Sequence, residues 1–191
     1  MVIYMIVPVG ISKRHVHLDN DTCIKLFGNT EMPVRNPLNQ PGQYASTLTV
    51  DLEWNGKIIE HVRVVGPIRK YNQVELSEEE CNILGVNPPA RQSGDLDDSL
   101  PINIIGPNGK VSISNGLIKA ERHIHMTPET MKELNLQNKE SVEVYRNNEY
   151  LFNAIIKLSD PGFNELHIDT VEEKEYDFHQ GEEIEFRKCG K

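Results

Sequence analysis

The sequence predicts a mainly β protein: two β-barrel domains from an internal duplication, capped by short helices. Three observations predict it. Short runs rich in β-branched and aromatic residues dominate the chain and are separated by turn signals such as WNGK, GPNGK and RNNE. The pentapeptide RHVHL at residues 14–18 returns 108 positions later as RHIHM at 122–126, so two copies of one motif hold four of the seven histidines. Finally, YNQVELSEE at 71–79 sets against FNELHIDTV at 163–171, pairing Tyr71 with Phe163, Asn72 with Asn164, Val74 with Leu166 and Glu75 with His167.

The elements follow in order. The apolar opening MVIYMIVPVG lacks a basic n-region, is too short to span a bilayer and runs into Pro8 and Gly10, so it reads as a first strand. A helix start follows each His-x-His: Asp19 is the N-cap in the first copy, and Thr127, with Pro128 and Glu129 behind it, in the second. These helices run to Phe27 and Leu134, where Gly28 and Asn135 can close them. The repeat offsets of 108 and 92 leave 16 extra residues in the first half, which are assigned to the segment NTEMPVRNPLNQPGQYAS. Its prolines near Arg35 and its QPGQ turn fit no regular element. Strands are expected at Ser46 to Trp54, Lys57 to Val65, Gln73 to Leu76, Ile102 to Ile105, Ser141 to Arg146, Tyr150 to Leu158, Glu165 to Thr170 and Glu183 to Phe186. NPPARQSGDLDDS reads as a surface loop or linker between the halves.

Composition narrows the partners. The 191 residues, 38% of them hydrophobic, suffice for one domain or two small ones. With 20 Lys and Arg against 29 Asp and Glu the net charge is -9, which argues against a general nucleic-acid surface and requires any attraction for an anionic ligand to be local. The three cysteines, Cys23, Cys81 and Cys189, are odd in number and far apart, so they read as reduced thiols, with Cys189 on a tail. A cytoplasmic protein is expected.

The chemistry sits in the repeats. Residues i and i+2 of a strand share a face, so each His-x-His aims two imidazoles, about 6.5 to 7 Å apart at Cα, at one point. With the third candidate from the later segment, the sets are His15, His17 and Glu75, and His123, His125 and His167. Three protein ligands and an open position are the pattern of catalytic zinc, although cobalt, nickel or iron suit the same donors. The competing reading of one such motif is an ordinary polar strand face; two copies in matching context favour metal. His61 and His179 have no such context and should face solvent. Arg14 and Arg122, an odd step from the imidazoles, should point away and form ordinary ion pairs. Arg69, in GPIRKYNQVE, is the stronger candidate for holding an oxyanion through its planar fork. No G-x-S-x-G, P-loop or G-x-G-x-x-G motif is present. The residues alone leave open a metal-dependent transferase, a zinc hydrolase and a metal-stabilised binding module.

The segments VPVGISKRHVHL, QPGQYA, VRVVGPIRKYNQVELS, SGDL, ERHIHMTPE and LHIDT, in this order from about Val7 to Phe186, resemble the signatures of the PduL-type phosphate propanoyltransferases. These are metal-dependent phosphotransacylases associated with bacterial microcompartments. The resemblance implies two β-barrels, 3–13 with 121–191 and 14–120, and two zinc ions between them. It implies His15, His17 and Glu75 as one zinc site, His123, His125 and His167 as the other, and Arg69 as the phosphate contact. The implied reaction is acyl-CoA plus phosphate to acyl phosphate plus coenzyme A, with acetyl or propanoyl groups, in a homodimer that needs neither nucleic acid nor membrane. Lys13 and Glu121 depart from the family pattern just before the Arg-His pairs and bear on acyl preference. The pattern begins at residues 7–10, leaving no room for the amphipathic encapsulation segment of microcompartment members, so a free cytoplasmic enzyme is expected.

Overall fold

The computed structural model describes residues 4–188, so the expectation for Cys189 lies outside the described residues. The elements of the first part are β1 (Tyr4–Ser12), β2 (His15–His17), α1 (Asn20–Phe27), β3 (Val34–Pro37), β4 (Tyr44–Trp54), β5 (Lys57–Gly66), β6 (Gln73–Leu76), α2 (Glu78–Leu84), β7 (Ala90–Arg91) and β8 (Leu100–Gly106). The rest are β9 (Gly109–Ala120), β10 (His123–Met126), α3 (Pro128–Glu133), β11 (Ser141–Arg146), β12 (Glu149–Leu158), β13 (Glu165–Asp169), α4 (Thr170–Glu175) and β14 (Glu183–Lys188). The chain forms two compact units, Met1–Ser12 with Glu121–Lys191, and Lys13–Ala120.

Both units close a six-stranded barrel with the same pairing scheme. In the first the order is β1-β13-β10-β12-β11-β14. In the second, pairing runs β9-β6-β2-β5-β4-β8 and returns to β9, with β3 added on β4 and β7 on β9. The His-x-His strand is parallel to one neighbour and antiparallel to the other in each unit: β10 to β12 and β13, β2 to β5 and β6. By this correspondence β1 is the counterpart of β9. The chain passes from one unit to the other directly after each of these strands, so each barrel takes its closing strand from the opposite repeat.

Alternating side chains fill the barrels. Val16, Leu52, Val62, Val64, Val74, Ile102 and Leu117 lie in one core; Val9, Ile124, Val144, Ile156, Leu166 and Phe186 lie in the other. In β5 the alternation slips at Glu60 and His61, both exposed; His61 has φ 58° and its N–H donates to Asp51 Oδ1 at 2.8 Å. The extra residue there bulges outward and keeps Ile59 and Val62 both inside.

The caps fall where the sequence places them. Asp19 accepts from Thr22 N–H, Thr127 from Thr130 N–H, and Gly28 closes α1 at φ 83°. Two further helices were not anticipated. Both α2 and α4 open with a capping box, Ser77 with Glu80 and Asp169 with Glu172, so α4 begins where the expected strand Glu165 to Thr170 would have ended. The loop expected to hold no regular element carries β3, antiparallel to β4 at Val34, Asn36 and Pro37; Pro is tolerated because β3 is an edge strand. The supposed linker NPPARQSGDLDDS lies inside the unit Lys13–Ala120 and contributes β7. The twelve-residue β9 was missed because its SNG interruption reads as a turn. Gly116 has φ 127°, and a Cβ there would meet the Asn72 carbonyl oxygen at 2.6 Å, so the strand continues only with glycine at this point. Among the described residues no helix is long and apolar enough to cross a membrane.

Candidate metal centre

Strand register delivers the third candidate ligand of each set. His123 is directly opposite His167, and His15 directly opposite Glu75, across antiparallel pairs. Opposed residues share a sheet face, and the second histidine, two positions on, shares it too.

In the unit containing Glu121–Lys191 the three imidazoles converge. One ring nitrogen from each of His123, His125 and His167 lies within 4.8 Å of the others, the one such group among the described residues. The Nε2 atoms of His123 and His125 are 3.1 Å apart. His123 Nδ1 donates to the Glu121 carbonyl at 2.7 Å, which fixes its proton there and leaves Nε2 as a lone pair. His125 Nδ1 meets the Ser159 hydroxyl at 2.5 Å. Burial pushes both rings far towards the neutral form; the neighbouring imidazoles and Lys157, paired across from His125 in β12, act in the same direction.

In the unit Lys13–Ala120 the corresponding residues adjoin but are spread more widely. His15 Nδ1 donates to the Lys13 carbonyl at 2.9 Å and His17 Nδ1 to the Val65 carbonyl at 3.1 Å, so both Nε2 atoms carry lone pairs. The two rings meet edge to face at 5.0 Å, and Glu75 Oε2 is 3.7 Å from His15 Nε2. These three do not reach the convergence of the other set.

The converging set His123, His125 and His167 fits a divalent transition metal. Neutral imidazoles and a carboxylate are zinc ligands, and anchoring the remote ring nitrogen on a backbone carbonyl or hydroxyl is how proteins orient such ligands.

Arg14 and Arg122 form ion pairs. Arg14 pairs with Glu80 at 3.1 Å and Arg122 with Glu172 at 2.7 Å, in each case the N3 glutamate of a capping box. Arg69 differs: its N–H donates to the Leu18 carbonyl, directly after His17, its Nη1 donates to Tyr71 Oη at 3.2 Å, and no carboxylate among the described residues pairs with it. A half-buried guanidinium without an internal counter-ion is suited to an external anion. His61 and His179 are exposed.

Sequence reasoning missed the residues that surround the ligands. Gln73 donates through Nε2 to Glu75 Oε2 and to Ser93 Oγ, each at 3.0 Å, and accepts from Gly94 N–H at 2.8 Å. Glu165 Oε2 accepts from His167 Nε2 at 2.7 Å. Gln73 and Glu165 precede the third ligands by two positions, so the same i, i+2 rule could have found them. Ser159 lies after the end of β12 and carries no such signal.

Fold and cluster together define a duplicated β-barrel protein with a histidine-rich centre fit for a metal. The chain belongs to the phosphate propanoyltransferase family, and is an enzyme of the acyltransferase class: the family's profile matches residues 8–178. Among named relatives, the phosphate propanoyltransferase of Rhodopseudomonas palustris (strain BisB18) is 41% identical over 170 residues, 87% of this chain and 75% of that protein. That of Rhodobacter capsulatus is 38% identical over 187 residues, covering 96% and 87%. The Thermotoga maritima enzyme is 41% identical over 169 residues, covering 86% and 80%.

Proposed function

We propose that the protein interconverts acyl-CoA plus phosphate with acyl phosphate plus coenzyme A, the acyl group being propanoyl or acetyl, with two zinc ions, one for each His-x-His set. A phosphate oxygen attacks the thioester carbonyl carbon, the C–O bond forms as the C–S bond breaks, and the coenzyme A thiolate departs to take up a proton. Arg69, which has no carboxylate partner among the described residues, holds the phosphate by two parallel N–H bonds and sets it in line for attack. His15, His17 and Glu75 would hold one ion, and His123, His125 and His167 the other. Bound zinc supplies Lewis acidity for the carbonyl oxygen and the leaving thiolate. Lys13, Glu121 and Val65 carbonyls and the Ser159 hydroxyl keep the four paired imidazoles oriented.

The observation that carries this reading is the convergence of His123, His125 and His167 in a chain of this family. Its test is thiol release from propanoyl-CoA and acetyl-CoA, with and without phosphate, on protein of measured metal content. Release that needs phosphate, stops on chelation and returns with zinc is expected. Release without phosphate would mark a hydrolase, and no release from metal-loaded protein a binding module; either would overturn the proposal.

A further inference from the structure

The two sets differ at the third ligand, carboxylate in one and imidazole in the other, and the difference is mirrored one step away. Glu75 is contacted by Gln73, a neutral amide; His167 is contacted by Glu165, a carboxylate. Gln73 and Glu165 occupy equivalent positions, two residues before the ligand on the strand antiparallel to the His-x-His strand. Each quartet therefore holds a single carboxylate, exchanged between ligand and neighbour. Both neighbours are buried: Gln73 is 0% and Glu165 3% exposed.

The fold makes room for this particular carboxylate. Gly10, on β1, lies opposite His167, and a Cβ there would stand 2.7 Å from Glu165 Cδ, 2.9 Å from its Oε1 and 2.9 Å from His167 Cδ2. Its backbone is not left-handed, so glycine is needed here for space rather than conformation. The equivalent strand of the other unit places Ile118, fully buried, opposite Glu75. Side-chain volume has been given up in the unit where a buried carboxylate hydrogen-bonds the third imidazole.

We infer that Glu165 is a positioning residue for His167: by accepting its Nε2–H the carboxylate orients the ring, leaves the other nitrogen a lone pair, and supplies the negative charge that Glu75 supplies directly in the other set. This rests on the metal reading proposed above. A carboxylate behind a ligating imidazole typically changes metal affinity by about 10- to 100-fold.

The test is metal affinity, measured by competition of zinc-loaded protein against a chromophoric chelator. In E165Q, which keeps the shape, one of the two zinc affinities should fall by about 10- to 100-fold while the other holds. G10A, which alters neither ligand nor Glu165 but fills their space, should weaken the same ion. E165Q/H167E writes the Gln–Glu pair of the other unit into this one and should restore affinity. If E165Q and G10A both retain wild-type affinities, or if the double variant binds no better than E165Q while keeping the wild-type circular dichroism spectrum, the inference fails. Wild-type protein that takes up no zinc would instead overturn the metal reading itself.

Discussion

Replacing Arg69 by alanine separates catalysis from folding. The side chain makes one hydrogen bond, to Tyr71 Oη at 3.2 Å, and the backbone bond to Leu18 survives the substitution. A single half-buried hydrogen bond is worth about 0.5–1.5 kcal/mol, and the freed Tyr71 hydroxyl is itself only half-buried, so the fold should lose about 1 kcal/mol. A hydrogen bond to a charged group is worth about 1.5–3 kcal/mol, and losing the pair that aligns the phosphate costs about a hundredfold or more in rate. R69A should therefore lose about a hundredfold or more in phosphate-dependent thiol release, with a raised KM for phosphate and a nearly unchanged denaturation midpoint. R69K keeps the charge without the fork and should fall between the two. Wild-type turnover and phosphate dependence in R69A would refute the assignment, as would loss of activity accompanied by unfolding.

Three other outcomes are expected. In metal-free protein the folded state holds His123 and His125 neutral, with pKa values below the unfolded value of about 6.5, so the unfolded chain binds more protons in acid. Stability should fall as pH drops through about 6.5, by at most about 1.4 kcal/mol per unit for each histidine, and less steeply in H125Q; urea midpoints that stay level across this window would contradict it. Asn72 ties Asp19 N–H, Asp19 Oδ2 and Thr22 Oγ1 together, and Asn164 does the same for Thr127 N–H and Thr130 Oγ1, so alanine at either should cost about 1–3 kcal/mol in denaturant titrations. Arg122 pairs with Glu172, whose carboxyl is raised by burial despite the arginine, and stacks over Phe152 at 4.3 Å. R122A should cost about 1–3 kcal/mol at neutral pH, with a smaller loss in acid as Glu172 takes up a proton, again read from urea midpoints.

The strand register of the candidate ligands was legible because a duplication writes it twice. One copy of His-x-His is an ordinary strand face, but the second copy and the matched Asn72 and Asn164 set the register in which Glu75 opposes His15 and His167 opposes His123. Helix starts were readable where a cap precedes an apolar run, as at Asp19 and Thr127. The same capping signal at Ser77 and Asp169 was overlooked, because each lies at the end of a strand whose alternation dominates the pattern. Closure of the barrels depends on β1 and β9 joining the opposite repeat, a long-range pairing for which no local pattern exists. Gly10 is likewise silent in sequence: its role is the absence of a Cβ beside Glu165 and His167.

If each repeat holds one metal ion on equivalent strands, two ions bind per chain. Anomalous diffraction at the zinc edge, on crystals of zinc-loaded protein, tests it most directly. Two peaks are predicted, one about 2.0–2.1 Å from His15, His17 and Glu75 and one at the same distance from His123, His125 and His167. A single peak, or peaks away from these six side chains, would contradict it.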